Sequence, residues 1–129
     1  MLLVPLPIAA LSGGTDATAS TDYFNKEYKA FSGLDPASPA ADRSYDAGAI
    51  VGLAIAEAGK ADSAAILAAI PKVLDPQGTV VHAGKDEFAK ALGLIKDGKP
   101  IKYEGVIGPV AFDAYGDITG PFRLWRIQN

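Results

Sequence analysis

The stretch IKYEGVIGPVAFDAYGDITGPFRLWRI, residues 101–127, decides how the chain is read. It is rich in β-branched and aromatic residues, and glycines and prolines divide it into short runs. IKYEG, GPVAFD and ITGPFRLWRI therefore read as strands separated by turns. Within it, Asp113-Ala-Tyr-Gly-Asp117 sets two acids around a glycine. An EF-hand loop needs acids at alternate positions, glycine at the sixth and a glutamate at the twelfth. The glycine here is misplaced, and Arg123 and Leu124 stand where late ligands belong. The segment reads instead as a hairpin turn. Asp113 starts it, Gly116 takes a positive φ and Asp117 begins the return strand.

Upstream the periodicity is helical. Thr15 to Phe31 reads as a helix, capped by Thr15, Asp16 or Thr18 and stopped by Gly33, with Phe24, Tyr28 and Phe31 on one face. Ser38 followed by Pro39 predicts a second helix start, running to Ala58 and stopped by Gly59. Its buried stripe is Ile50, Val51, Ala54, Ile55 and Ala58, and Gly48 and Gly52 predict close packing against a neighbour. Asp62 caps a third helix, with Ile66, Leu67 and Ile70 facing in and Pro71 limiting it. TVVH, residues 79–82, is a short strand. Asp86 opens a fourth helix along Phe88, Leu92 and Ile95, and Gly98 ends it. The order is one strand, several helices and a run of strands, which predicts an α/β chain.

With 129 residues, 49% hydrophobic and 21% charged, the chain can bury a core and is not a disordered one. A net charge of −3 without like-charge blocks gives no basis for a nucleic-acid partner. The lack of cysteine excludes disulfides and thiolate chemistry. MLLVPLPIAALSGG, residues 1–14, has an apolar run but no preceding Lys or Arg, and Pro5 and Pro7 interrupt it. It reads as a buried strand rather than a convincing signal peptide. Its Ser12-Gly-Gly14 lacks the spacing of a phosphate loop.

Catalytic, metal and cofactor sites are not expected. His82 is the only histidine, and no Gly-x-Ser-x-Gly elbow accompanies it. Ser38, Asp42, Tyr45 and Asp46 gather near a helix start. A helix N-terminus offers N–H groups to a carboxylate, and an acid can pair with an ammonium. Those are the two poles of an amino acid, although ordinary capping charge explains the same residues.

Tyr45-Asp46-Ala47, then Ala58-Gly59 with Asp62, then Ile101-x-Tyr-x-Gly-x-x-Gly-x-x-x-Phe-Asp-x-x-Gly-Asp117 follow one another in an order that resembles the type 1 periplasmic binding proteins. These are the solute receptors of ABC transporters for branched-chain amino acids, amides and related compounds. DYFNKEYKAFSG, from residue 22, is similar to the helix that precedes those motifs. The likeness spans about residues 16–127 and corresponds to the C-terminal third of a complete member.

The resemblance implies a partial fold: helices followed by a terminal β-hairpin, all of residues 1–129 belonging to one region of an incomplete two-lobe architecture. It implies a non-enzymatic, periplasmic solute-binding component with a small amino acid or amide as ligand and an ABC permease as partner. It places Ala41, Asp42 and Tyr45 near the ligand cleft, with Ala41 small where some members carry an aromatic. The other reading is a stand-alone interaction module derived from that family. Its exposed apolar faces and strand edges would lead it to self-associate without a ligand of its own.

Overall fold

The computed structural model describes residues 9–118, 120 and 122–126. The architecture is mixed α/β, in the order β1 (Ala9–Gly13), α1 (Ala19–Ser32), α2 (Ala41–Ala58), α3 (Ser63–Val73), β2 (Thr79–Val81), α4 (Lys85–Lys96), β3 (Ile101–Gly105), β4 (Gly108–Pro109) and β5 (Phe122–Arg126). The proposed strand over LLVPLPIA falls mostly outside the described residues, and strand structure is described from Ala9 onward.

The core is built around a βαβ unit. β2 and β3 pair in parallel, with Val81 opposite Tyr103, and α4 makes the crossover. β4 then adds to β3 antiparallel through a two-residue turn at Val106 and Ile107, giving the sheet order β2-β3-β4. β3 is the central strand, and Ile101 and Tyr103 on it are fully buried. The backbone passes so close at Gly78 that a Cβ there would lie 2.3 Å from the Ile101 carbonyl carbon, so only glycine fits. A second sheet is a two-stranded ribbon in which β1 pairs antiparallel with β5, with Leu11 opposite Leu124.

The helices bury their small residues and leave several large ones outside. Ala54 of α2, Ala69 of α3 and Ala91 of α4 are sealed, beside Ile50, Leu53 and Val73. Alanine at the contact lets neighbouring helices and strands approach closely. The bulkier residues expected to face in are then rotated outward. Val51, Ile55, Leu67 and Leu92 are exposed, while Ile66, Ile70, Phe88 and Ile95 only flank the core. Gly48 and Gly52 are exposed with no neighbour within 4 Å of a Cβ position, so the expected close packing is absent there.

The capping pattern is partly as expected. Thr18 caps α1 in a reciprocal box with Thr21, and Gly33 closes that helix in the left-handed conformation. Asp62 caps α3 by accepting the Ala65 N–H at 2.9 Å, and Gly59 closes α2. Pro71 is contained in α3, which runs two residues past it. The Ser38-Pro39 start is not used. Ser38 lies in a turn, its N–H donating to Asp35 O and its carbonyl accepting from Ala41. Ala40 then takes φ 64°, which makes it the first half-turn residue and leaves α2 without a side-chain cap. α4 likewise begins at Lys85 after Gly84 rather than at Asp86.

Candidate ligand groove

Two helices are anchored to one turn, and the anchoring sets the space between them. Asp46 of α2 is buried to 2% exposure. Its carboxylate accepts from Tyr103 Oη at 2.9 Å, from the Val106 N–H at 2.8 Å and from the Ile107 N–H at 3.0 Å. The Gly105 backbone lies against this carboxylate, where a Cβ would overlap it. The α1 N-terminus takes the carbonyls of the same turn. Ser20 Oγ donates to Glu104 O, Thr18 Oγ1 to Gly105 O at 2.8 Å, Thr21 Oγ1 to Val106 O at 2.8 Å and the Asp16 N–H to Ile107 O at 3.1 Å. Ser20 Oγ also accepts the Ala83 N–H at 2.7 Å, which ties the end of β2 into the junction. Each polar group brought inside thus meets a partner, the condition under which burial of polar atoms is tolerable.

With α1 and α2 held at one end, an open cavity of about 750 Å³ runs between α1 and the start of α2. Its walls include Tyr23, Phe24, Tyr28 and Phe31 from α1 and Tyr45 from α2. Phe24 is the buried hub. Its ring stacks on Tyr28 at 4.8 Å between centroids and meets Tyr45 edge-on at 5.4 Å. Tyr23 lies over Gly84, where a Cβ would come within 3.1 Å of the ring. Phe31, expected on the buried face, is 94% exposed at the groove mouth, because α1 docks through its N-terminal half and its last turn runs beyond the core. Among the described residues Glu27 is the only charged one in the lining.

The three residues singled out from the sequence divide. Ala41 and Tyr45 line the groove. Asp42 is not in the lining; Arg43 donates to its carboxylate at 3.2 Å, and Thr15 Oγ1 at 3.5 Å. Arg43 Nη2 reaches on to Gly14 O at 3.1 Å, so Asp42 and Arg43 together fasten the first turn of α2 to the segment after β1. Burial, foremost, and then the neighbouring Tyr23 and Asp46 raise the Tyr45 pKa above the usual phenol range, although the Gly84 backbone opposes the shift. The Tyr45 ring is therefore presented as a neutral phenol.

The remaining sequence candidates carry no constellation. Asp113 Oδ1 accepts from the Tyr115 and Asp117 N–H groups at 2.8 and 3.0 Å, Asp113 N–H donates to Asp117 O, and Gly116 has φ 86°. The DAYGD segment is thus a closed turn, but the expected hairpin is reduced to a single bridge from Phe112 to Ile118, and the strand that follows, β5, pairs with β1 instead. His82 donates its main-chain N–H to Glu87 Oε2 at 3.0 Å, and its buried Nδ1 has no hydrogen-bond partner among the described residues. Among the described residues no group of three acids or histidines is placed to hold a metal.

Glu27 and Tyr23 were not picked out from the sequence as binding residues. Four aromatics between residues 23 and 31 were the available signal, but helical spacing assigns such residues to a core just as well. No family model matches the chain, and no characterised protein or solved structure matches it either.

Proposed function

We propose that the chain is part of a solute-binding component of an ABC transporter, supplying the C-terminal portion of a type 1 periplasmic-binding-protein fold. The ligands are small amino acids, amides or related solutes, with Ala41 and Tyr45 on the ligand face. One observation carries the reading: two of the motifs on which the resemblance rests meet in space. Asp46 of Tyr45-Asp46-Ala47 accepts from Tyr103, Val106 and Ile107, and the Ile101–Asp117 motif contains all three. The glycines of that motif have physical reasons as well, since Gly105 abuts the Asp46 carboxylate and Gly116 takes a positive φ. A receptor of this kind binds and releases without making bonds, which suits a mainly aromatic and apolar groove with a few polar side chains in its lining.

The test is the size and compartment of the native product. An antibody against DEFAKALGLIKDGK, residues 86–99, is used to blot periplasmic and cytoplasmic fractions of the source cell. A periplasmic product well above 13.3 kDa is expected, and calorimetry on it should give saturable binding of a small amino acid or amide. A cytoplasmic product of 13.3 kDa would sink the reading.

A second reading, self-association, is favoured by the β1–β5 ribbon. Phe122 and Leu124, two apart on one strand, are 76% and 68% exposed, and the ribbon has no third strand among the described residues. Such edges and faces pair readily with a second copy of the same chain.

A further inference from the structure

We propose that the groove between α1 and α2 recognises an organic cation, specifically a quaternary or N-alkylated ammonium group held among tyrosine rings with Glu27 as its counter-charge. The inference rests on the groove being the ligand face and narrows what enters it. Three observations carry it. The polar side chains that meet the groove are three phenols, Tyr23, Tyr28 and Tyr45, the Glu27 carboxylate and the hydroxyls of Ser38 and Ser44. The tyrosines come from two helices, so both walls of the groove carry a phenol ring. The buried Phe24 braces Tyr28 and Tyr45 from behind, by stacking on one and by an edge contact with the other, so their placement does not depend on the guest.

The chemistry follows from the aromatic quadrupole. The face of a neutral tyrosine ring carries negative potential and attracts a cation within about 6 Å of the centroid. A quaternary ammonium suits such a wall because it is large, weakly hydrated and has no N–H group to satisfy. A primary ammonium would need an acceptor for each N–H, whereas a quaternary one draws on the ring faces and Glu27 and leaves the tyrosine and serine hydroxyls of the lining to water. Glu27 is available to such a guest. Among the described residues its one ion pair is with Lys26 at 3.5 Å, and the two side chains are 47% and 83% exposed, a pair that holds weakly. A zwitterionic amino acid could set its ammonium against Glu27, but its carboxylate would find no cationic side chain among the described lining residues to meet it. The space, about 750 Å³, falls in the range of small-molecule sites.

The decisive experiment compares choline with 3,3-dimethylbutan-1-ol, which has the same shape and no charge, on the full chain by calorimetry and by the shifts of the tyrosine ring protons. Choline is expected to bind saturably and about tenfold more tightly than the alcohol, a difference of about 1.4 kcal/mol. Glu27→Gln should weaken choline several-fold and leave the alcohol unchanged. Tyr45→Leu should weaken choline more than the alcohol, because it keeps apolar bulk but removes the ring. Glu27 is at the surface, so its variant also guards against simple unfolding, which circular dichroism checks. Equal affinity for the two probes, or no saturable choline binding, would overturn the proposal. Leucine binding to the native product without choline binding would leave the groove a ligand face and remove only the cation. Choline binding by a cytoplasmic 13.3 kDa product would keep the cation and remove the transport receptor.

Discussion

The junction around Asp46 and the β1–β5 ribbon are opposite solutions to the same problem. At the junction a carboxylate, four hydroxyls and a run of backbone carbonyls are taken wholly or partly out of water, and each is given a partner. On the ribbon, two large apolar side chains, Phe122 and Leu124, are left in water, and the strands pair chiefly with each other. The junction is closed, since adding or removing an atom there disturbs something already satisfied. The ribbon is open, because a two-stranded antiparallel unit buries too little to be stable by itself and gains from any surface laid against it. The contrast indicates where the chain is finished and where it offers a contact.

The hardest blow to the closed region is Asp46→Ala. It leaves Tyr103 Oη and the Val106 and Ile107 N–H groups without their acceptor in a site that water does not reach. Loss of one member of a buried network costs about 3–5 kcal/mol. That is a large share of the about 5–15 kcal/mol that holds a domain together. Urea denaturation should show the midpoint falling accordingly, with Asp46→Asn intermediate because the amide keeps one acceptor oxygen. A loss below about 1 kcal/mol would show that the junction is not what fastens α2 to the sheet.

How much of this was legible beforehand depends on the kind of signal. Caps and stops act through the next few residues, so Asp62, Gly33, Gly59 and the Asp113–Asp117 turn could be read directly. The order of strand, helices and strands was also visible. The buried faces were read less well. Ile50 and Ala54 are buried as the α2 stripe predicts, but periodicity favours the largest apolar residue, whereas close helix packing selected Ala69 and Ala91 and turned Val51, Leu67 and Leu92 outward. Ser38-Pro39 carries a good start signal, but Ala40 in the left-handed region moved the cap two residues on. Asp46 came to notice near a helix start, yet its partners lie 57 to 61 residues away. Local pattern holds no information about a contact of that span. The same applies to the groove. Tyr45 and Ala41 were named, but Glu27 and Tyr23 join them only because two helices meet on one turn.

A milder probe of the closed region is pH. Burial first, and then the Asp46 charge and hydrogen bond, push the Tyr103 phenol far above its usual range. The unfolded chain releases this proton near pH 10 while the folded chain retains it. Stability is therefore complete below about pH 10 and falls above it, by about 1.4 kcal/mol per pH unit for this one group. Tyr45, raised in the same direction, adds to the loss. Tyr103→Phe should flatten the alkaline limb of a plot of denaturation midpoint against pH. At neutral pH it should cost about 1–3 kcal/mol, from the Asp46 oxygen that loses its hydroxyl donor. An unchanged alkaline limb in the variant would place the titration elsewhere.

The smallest effect on stability, and the one most specific to the open region, is expected from Phe122→Ser with Leu124→Ser. Both side chains are already largely in water, so removing them takes little from the fold. The denaturation midpoint of the α/β body should move by no more than about 0.5 kcal/mol. Association should behave differently. If the ribbon is the face that pairs with a second copy, sedimentation equilibrium of the parent chain will show mass rising with concentration. The double variant will then stay monomeric over the same range. The reasoning turns on separating the two readouts: the Asp46 change weakens folding whatever the assembly does, while the ribbon change weakens assembly and spares folding. A parent chain that remains monomeric at every concentration would remove the self-association reading. A double variant that unfolds would show instead that the ribbon is fastened to the body and belongs with the closed region.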